Sequence, residues 1–296
     1  IIGFYYNRDS AIDSPDDEKA FYWLRLAAEQ GHCEAQYSLG QKYTEDKSRH
    51  KDNGQAIFWL KKAALQGHTF ASNALGWTLD RGEDPNYKEA VAWYQIAAES
   101  GMSYAQNNLG WMYRNGNGVA QDYTLAFFWY KQAALQGHSD AQNNLADLYE
   151  DGKGVAQNET LAAFWYLKSA QQGNRHAQFQ IAWDYNAGEG VDQDYKQAMY
   201  WYLKAAAQGS VGAYVNIGYM YKHGQGVEKD YQAAFEWFTK AAECNDATAW
   251  YNLAIMYHYG EGRPVDLRQA LDLYRKVQAS GTRDVSQEIR EIEDLL

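Results

Sequence analysis

Cysteine, proline and long apolar runs are nearly missing from this 296-residue chain, and each absence excludes something. The two cysteines, Cys33 and Cys244, are too few for a disulfide framework or a multi-cysteine zinc site. The three prolines, Pro15, Pro85 and Pro264, leave long stretches free to be helical and fall where loops are expected between helices. No run of 18 apolar residues occurs, so no membrane span is expected. No five like charges stand together, which excludes an acidic or basic tail. The formal net charge is −11, so a nucleic-acid or anionic-membrane surface, which needs clustered Lys and Arg, is not expected. None of the seven histidines stands in H-E-x-x-H spacing, and no G-x-x-x-x-G-K-[ST] follows a strand pattern. No metal and no cofactor is expected.

What fills the chain is a repeat. Ala105 to Gly137 reads as two helices around a glycine loop: Ala105, Leu109 and Tyr113 share one helical face, and Ala126, Trp129 and Ala133 another. A closing glycine recurs at Gly31, Gly67, Gly101, Gly137, Gly173, Gly209 and Gly281, with Asn245 in its place once. The interval is 36 residues throughout, except for 34 between Gly67 and Gly101. Eight residues before each closing position stand Trp23, Trp59, Trp93, Trp129, Trp165, Trp201, Trp237 and finally Leu273. Fifteen residues before it stand Asp16, Asp52, Asn86, Asp122, Asn158, Asp194, Asp230 and Asp266, the residue types that cap a helix N-terminus. Small residues recur in the first helix (Gly40, Gly76, Gly110, Ala146, Ala182, Gly218, Ala254), predicting a close approach there by another helix backbone.

The pattern A-x-x-x-(L/I)-(G/A)-x-x-Y-x-x-G-x-G-V, then A-x-x-W-x-x-x-A-A-x-x-G, resembles the Sel1-like repeat family, a relative of the tetratricopeptide repeats. Its loop signature is matched by Gly116, Gly118 and Val119, by Gly152, Gly154 and Val155, by Gly188, Gly190 and Val191, and by Gly224, Gly226 and Val227. The resemblance implies an all-α, right-handed α-solenoid of antiparallel helix-pair repeats of about 36 residues, used as a protein-binding scaffold. Some secreted members staple every repeat with a disulfide, a pattern this chain lacks; a cytoplasmic location is therefore expected, a cysteine-poor periplasmic protein being the alternative. The expected organisation is one array over residues 1–296: a partial repeat over 1–31, seven repeats over 32–281, and a capping helix over 282–296 with Val285, Ile289 and Ile292 at helical spacing. IIGFYY at the start reads as the end of a first helix, so the sequence is expected to begin in mid-repeat, without the natural start.

The family implies that first helices line the concave face. Residues pointing away from the Ala/Leu core face then give a candidate protein-binding groove: Asn73, Trp77, Asn107, Trp111, Arg114, Asn143, Asp147, Phe179, Trp183, Tyr219 and Tyr251. Two readings of its aromatics stand side by side: a ladder that contacts a peptide or folded protein partner, or packing between successive first helices. The expected function is a non-enzymatic adaptor. The alternative is a penicillin-interacting hydrolase, because Ser48 and Lys51 match S-x-x-K, though no S-D-N or K-T-G accompanies them. Two loops depart from the pattern, Lys42–Asn53 and the shortened Arg81–Asn86; drift and function both explain such departures.

Overall fold

The computed structural model describes residues 15–45, 50–82 and 84–296. Ser48 and the expected helix remnant over residues 1–9 lie outside the described residues, as do the side chains of residues 15–17, Asp16 among them. Sixteen helices and no strand occur among the described residues, about 74% of which are helical. The helices group into two compact units, Ile1–Gln157 and Asn158–Leu296.

The first unit holds α1 (Pro15–Glu29), α2 (Cys33–Thr44), α3 (Asn53–Leu65), α4 (Thr69–Arg81), α5 (Tyr87–Glu99), α6 (Ser103–Asn115), α7 (Tyr123–Leu135) and α8 (Ser139–Asp151). The second holds α9 (Glu159–Gln171), α10 (Arg175–Ala187), α11 (Tyr195–Ala207), α12 (Val211–His223), α13 (Tyr231–Glu243), α14 (Ala247–Tyr259), α15 (Leu267–Ser280) and α16 (Ser286–Glu293). Within each unit every helix packs on its chain neighbours, and α2 also reaches α4. Pro15 is the first residue of α1, the helical position that needs no N–H partner, rather than a loop residue.

Helix boundaries follow from the capping residues. Asp52, Asn86, Asp122, Asn158, Asp194, Asp230 and Asp266 each accept from a backbone N–H two or three residues on, at 2.8–3.2 Å. Four of the seven first helices are capped by side chains as well, through His68 Nδ1, His138 Nδ1, Asn174 and Asp246. At the other end Gly116 holds φ +71°, and its N–H donates to Met112. Two residues on, Gly118 at φ +73° lies over the backbone of Tyr87, where a Cβ would fall 2.4 Å from the Tyr87 carbonyl carbon. The loop signature therefore docks each loop on the helix start one repeat back. Gly260 and Gly262 repeat it in GEGRPV, a fifth instance that lacks the valine.

The largest buried side chains stand one position after the Trp. Tyr94, Tyr130, Tyr166, Tyr202, Phe238 and Tyr274 are almost wholly buried. This corrects one expectation. The recurring small residue faces that ring, not a helix backbone: a Cβ on Gly76 would lie 2.8 Å from Tyr94 Cδ1, and one on Gly218 2.6 Å from Phe238 Cε1. The Trp itself is buried at Trp59, Trp93 and Trp201, half-buried at Trp129, Trp165 and Trp237, and exposed at Trp23.

A buried glutamine joins the helices of one repeat to the next. Gln36, Gln106, Gln142 and Gln178 donate through Nε2 to Ala28, Ala98, Ala134 and Ala170, carbonyls at the end of the preceding helix, at 3.1–3.2 Å. Their Oε1 atoms accept from Gln66, Gln136 and Gln208 for the first, second and fourth of them. Each of these carbonyls also accepts from a closing-glycine N–H at 3.0 Å, so the glutamine adds a second hydrogen bond at the helix end that ties it to the next repeat. The second unit ends on α16, where Val285 and Ile292 are buried against Tyr274 and Val277 and Ile289 packs beside them.

Candidate protein-binding faces

Trp77 on α4 and Trp111 on α6 occupy the same place in consecutive repeats and remain 46% and 43% exposed. They line one cleft of about 360 Å³ together with Asp80, Arg81, Asn107 and Asn108. Their helices bury Ala71, Leu75 and Leu79, or Ala105, Leu109 and Met112, on the opposite side, so the core does not need either indole. In the second unit Trp183 on α10 is 42% exposed in the same register.

The asparagines beside the indoles form a ladder of their own. Asn108 Nδ2 donates to Asn73 Oδ1 at 3.2 Å, and Asn144 Nδ2 donates to Asn107 Oδ1 at 3.0 Å. The Asn73 and Asn107 oxygens thus accept from the next repeat, and both residues remain half-buried. Asn143 departs from the expectation. It is 8% exposed and belongs to the packed interior of the unit rather than to its surface.

Arg114 and Asp147 close the row in the first unit through a 3.0 Å ion pair, with both side chains mostly shielded. Burial, the largest single influence, lowers the Arg114 pKa, but the hydrogen bond to Asp147 and the surrounding negative charge together outweigh it and the net shift is upward. At the other end Asp80 is held from below by Tyr94, whose hydroxyl donates to Asp80 Oδ2 at 2.7 Å. Burial pushes the Asp80 carboxyl up, against the opposing pull of Tyr94 and Arg81. The Arg81 guanidinium lies over the Trp77 ring, 5.5 Å from its centroid.

The remaining sequence-selected aromatics are packing residues. Tyr219 is half-buried, edge-on to Phe238 at 5.6 Å, and its hydroxyl accepts from Asn252 Nδ2 at 3.1 Å. Phe179 leans on Tyr202 at 5.7 Å, and a Cβ on Gly212 would lie 2.9 Å from its ring. Tyr251 packs on Tyr274, with Arg283 4.0 Å from its ring centre. The two readings of the aromatic row thus divide by residue: the tryptophans lie open, whereas Tyr219, Phe179 and Tyr251 fill gaps between repeats. The difference is size and context, because a ring meets a neighbouring ring only where the next repeat supplies one.

A second aromatic row went unread in the sequence. Phe58 and Phe128 in the first unit, and Phe164 and Tyr200 in the second, stand one residue before the repeat Trp and are 46–49% exposed. Each lies edge-on to that Trp at 4.9–5.1 Å. Lys62, Lys168 and Lys204, one turn on, hold their ammonium groups over Phe58, Phe164 and Tyr200. The recurrent F-W or Y-W dipeptide was the available signal.

Among the described residues no group of three or more His, Cys, Asp or Glu is placed to hold a metal ion, and no helix is long and apolar enough to cross a membrane.

Comparison with known proteins gives the same architecture. A profile of the Sel1 repeat matches residues 3–32, 33–68, 69–102, 103–138, 139–174, 175–210, 211–246 and 247–276. The chain is 97% identical over 122 residues to the Sel1-repeat-containing protein YbeQ of Escherichia coli strain K12; this match spans 41% of the chain and 38% of YbeQ. Among solved structures it is similar to c5321, described as a protective antigen of uropathogenic Escherichia coli displaying an SLR fold. That similarity has a TM-score of 0.82 at 35% identity, over 88% of this chain and 56% of that one. A Sel1 repeat protein from Oxalobacter formigenes matches with a TM-score of 0.67 at 32% identity, over 72% of this chain and 86% of that one. Eight successive matches over most of its length mean that the chain belongs to the Sel1 repeat family.

Proposed function

We propose that this chain is a non-enzymatic scaffold that takes a segment of a partner protein on its first-helix face, the concave one expected of the family. Sel1 repeats generally mediate protein–protein interactions. The observation that carries the finer reading is the pair Trp77 and Trp111, open to solvent in consecutive repeats over a shared cleft. Exposed aromatic clusters of this kind are what binding hot spots are made from. Asn107 and Asn108 at the cleft wall are side chains of the kind that hydrogen-bond the backbone of an extended peptide. A second reading is favoured by the Phe58 and Phe128 row, which would place contacts on the second helices instead.

A photo-crosslinking residue placed at 111 or at 128 in the living cell separates the two. A crosslinked partner from position 111 supports the first-helix face, and one from position 128 alone supports the second. No crosslink from either position sinks both.

A further inference from the structure

Asp80 carries more than its place in the helix requires. Its side chain is only 10% exposed, at the wall of the cleft that Trp77 and Trp111 line. Oδ2 is engaged by Tyr94, but Oδ1 has no hydrogen-bond partner among the described residues. The nearest positive group is Arg81 Nε at 3.7 Å, beyond hydrogen-bond length. Arg81 itself is 69% exposed, and its guanidinium lies 5.5 Å from the Trp77 ring centre. A carboxylate short of one donor, two half-exposed indoles and an exposed arginine lying by the carboxylate and the Trp77 ring make up an unfinished cation site.

We infer that the Trp77–Trp111 cleft receives a cationic side chain of the partner segment, an arginine above all, which pairs with Asp80 and displaces Arg81. The inference rests on the first-helix reading given above. A guanidinium can stack on an indole while donating in its plane to a carboxylate, which an ammonium does less well. The overall charge of −11 favours the approach of such a partner. Arg81 occupies the place in the free protein and keeps the carboxylate partly compensated until exchange.

The test uses the full chain labelled with 15N-tryptophan, titrated with acetyl-Gly-Arg-Gly-amide and with the same peptide carrying citrulline, the neutral isostere of arginine. The arginine peptide should shift the Trp77 and Trp111 indole resonances saturably and bind about tenfold more tightly than the citrulline peptide. Arg81→Ala should strengthen arginine binding severalfold, and Asp80→Asn should reduce it to the citrulline level. Equal binding of the two peptides, shifts that avoid these two indoles, or no gain in Arg81→Ala overturns the inference. The Arg81→Ala arm decides alone if Asp80→Asn fails to fold, because Arg81 is a surface residue. Failure here, with partner crosslinking from position 111 intact, rejects the cation site and leaves the first-helix face standing. Loss of that crosslinking rejects the face.

Discussion

A Cβ built on Gly110 would lie 2.7 Å from Cδ1 of Tyr130, a ring with no exposed surface. The first helix gives up a methyl group there so that the partner helix can seat its tyrosine. A mid-helix glycine costs about 1 kcal/mol against alanine, and the closer packing offsets it. Gly110→Leu should destabilise the chain by about 1–3 kcal/mol, the usual range for overpacking. In Gly110→Leu/Tyr130→Ala the two costs should fall short of their sum, since the leucine enters space the ring has left. Urea denaturation of the four proteins measures this. Strict additivity would mean that the two residues do not meet.

The buried glutamines predict a larger loss than their side-chain size suggests. Gln106 satisfies the Ala98 carbonyl at 3.1 Å and accepts from Gln136 at 2.8 Å. Gln106→Met keeps the length but removes both hydrogen bonds, at about 1–2 kcal/mol for the two together, the Ala98 carbonyl keeping its bond from the Gly101 N–H. Gln121, on an exposed loop and donating to Arg114, should tolerate the same change within about 0.5 kcal/mol. Equal thermal shifts for the two variants would count against the interior role of the glutamine.

His138 supplies a pH dependence whose direction can be stated. Its Nδ1 accepts from the Ala141 N–H at 3.3 Å, and burial holds its pKa below the usual imidazole value. A depressed pKa means that the folded state favours neutral imidazole, so the contribution is present above the unfolded value of about 6.5 and is lost as pH falls through the folded value. Asn174 makes the same cap at 3.0 Å with a group that does not titrate there. His138→Asn should therefore match the wild type near neutrality and lose less stability on acidification. Parallel stability profiles for the two proteins through this window would show that the histidine does not titrate against the fold.

The fold was legible because the repeat wrote its grammar eight times over. An Asp or Asn at one offset, a glycine fifteen residues later and a small residue opposite a ring are local rules, and local rules survive reading one residue at a time. Even so, a face drawn through Ala126, Trp129 and Ala133 does not single out Tyr130, the ring that is fully enclosed. A helix turns 100° per residue, so two neighbouring aromatics cannot share a face, and only the paired glycine shows which of them goes inside. The candidate faces were less legible for a different reason. Exposure at one offset depends on what the next repeat places beside it. Trp111 lies open, whereas Tyr219 is covered where Asn252 and Phe238 reach it. The expectation of a single aromatic row treated these as equal.

That division within one offset is open to direct measurement in the second unit. Trp183 is 42% exposed, and its helix buries Ala177, Gln178 and Ile181 on its other side. Trp183→Ala therefore removes little contact with the interior and should cost less than about 1 kcal/mol. Tyr219 sits edge-on to Phe238, and its hydroxyl accepts from Asn252. Tyr219→Ala opens a cavity and strands that amide, and about 2–4 kcal/mol is expected. Tyr219→Phe isolates the hydrogen bond at about 1 kcal/mol, because it keeps the ring and deletes only the acceptor. Differential scanning calorimetry of the three variants ranks them. If Trp183→Ala proved as damaging as Tyr219→Ala, the indole would be part of the interior, and the case for this row as a binding face would fail in this unit.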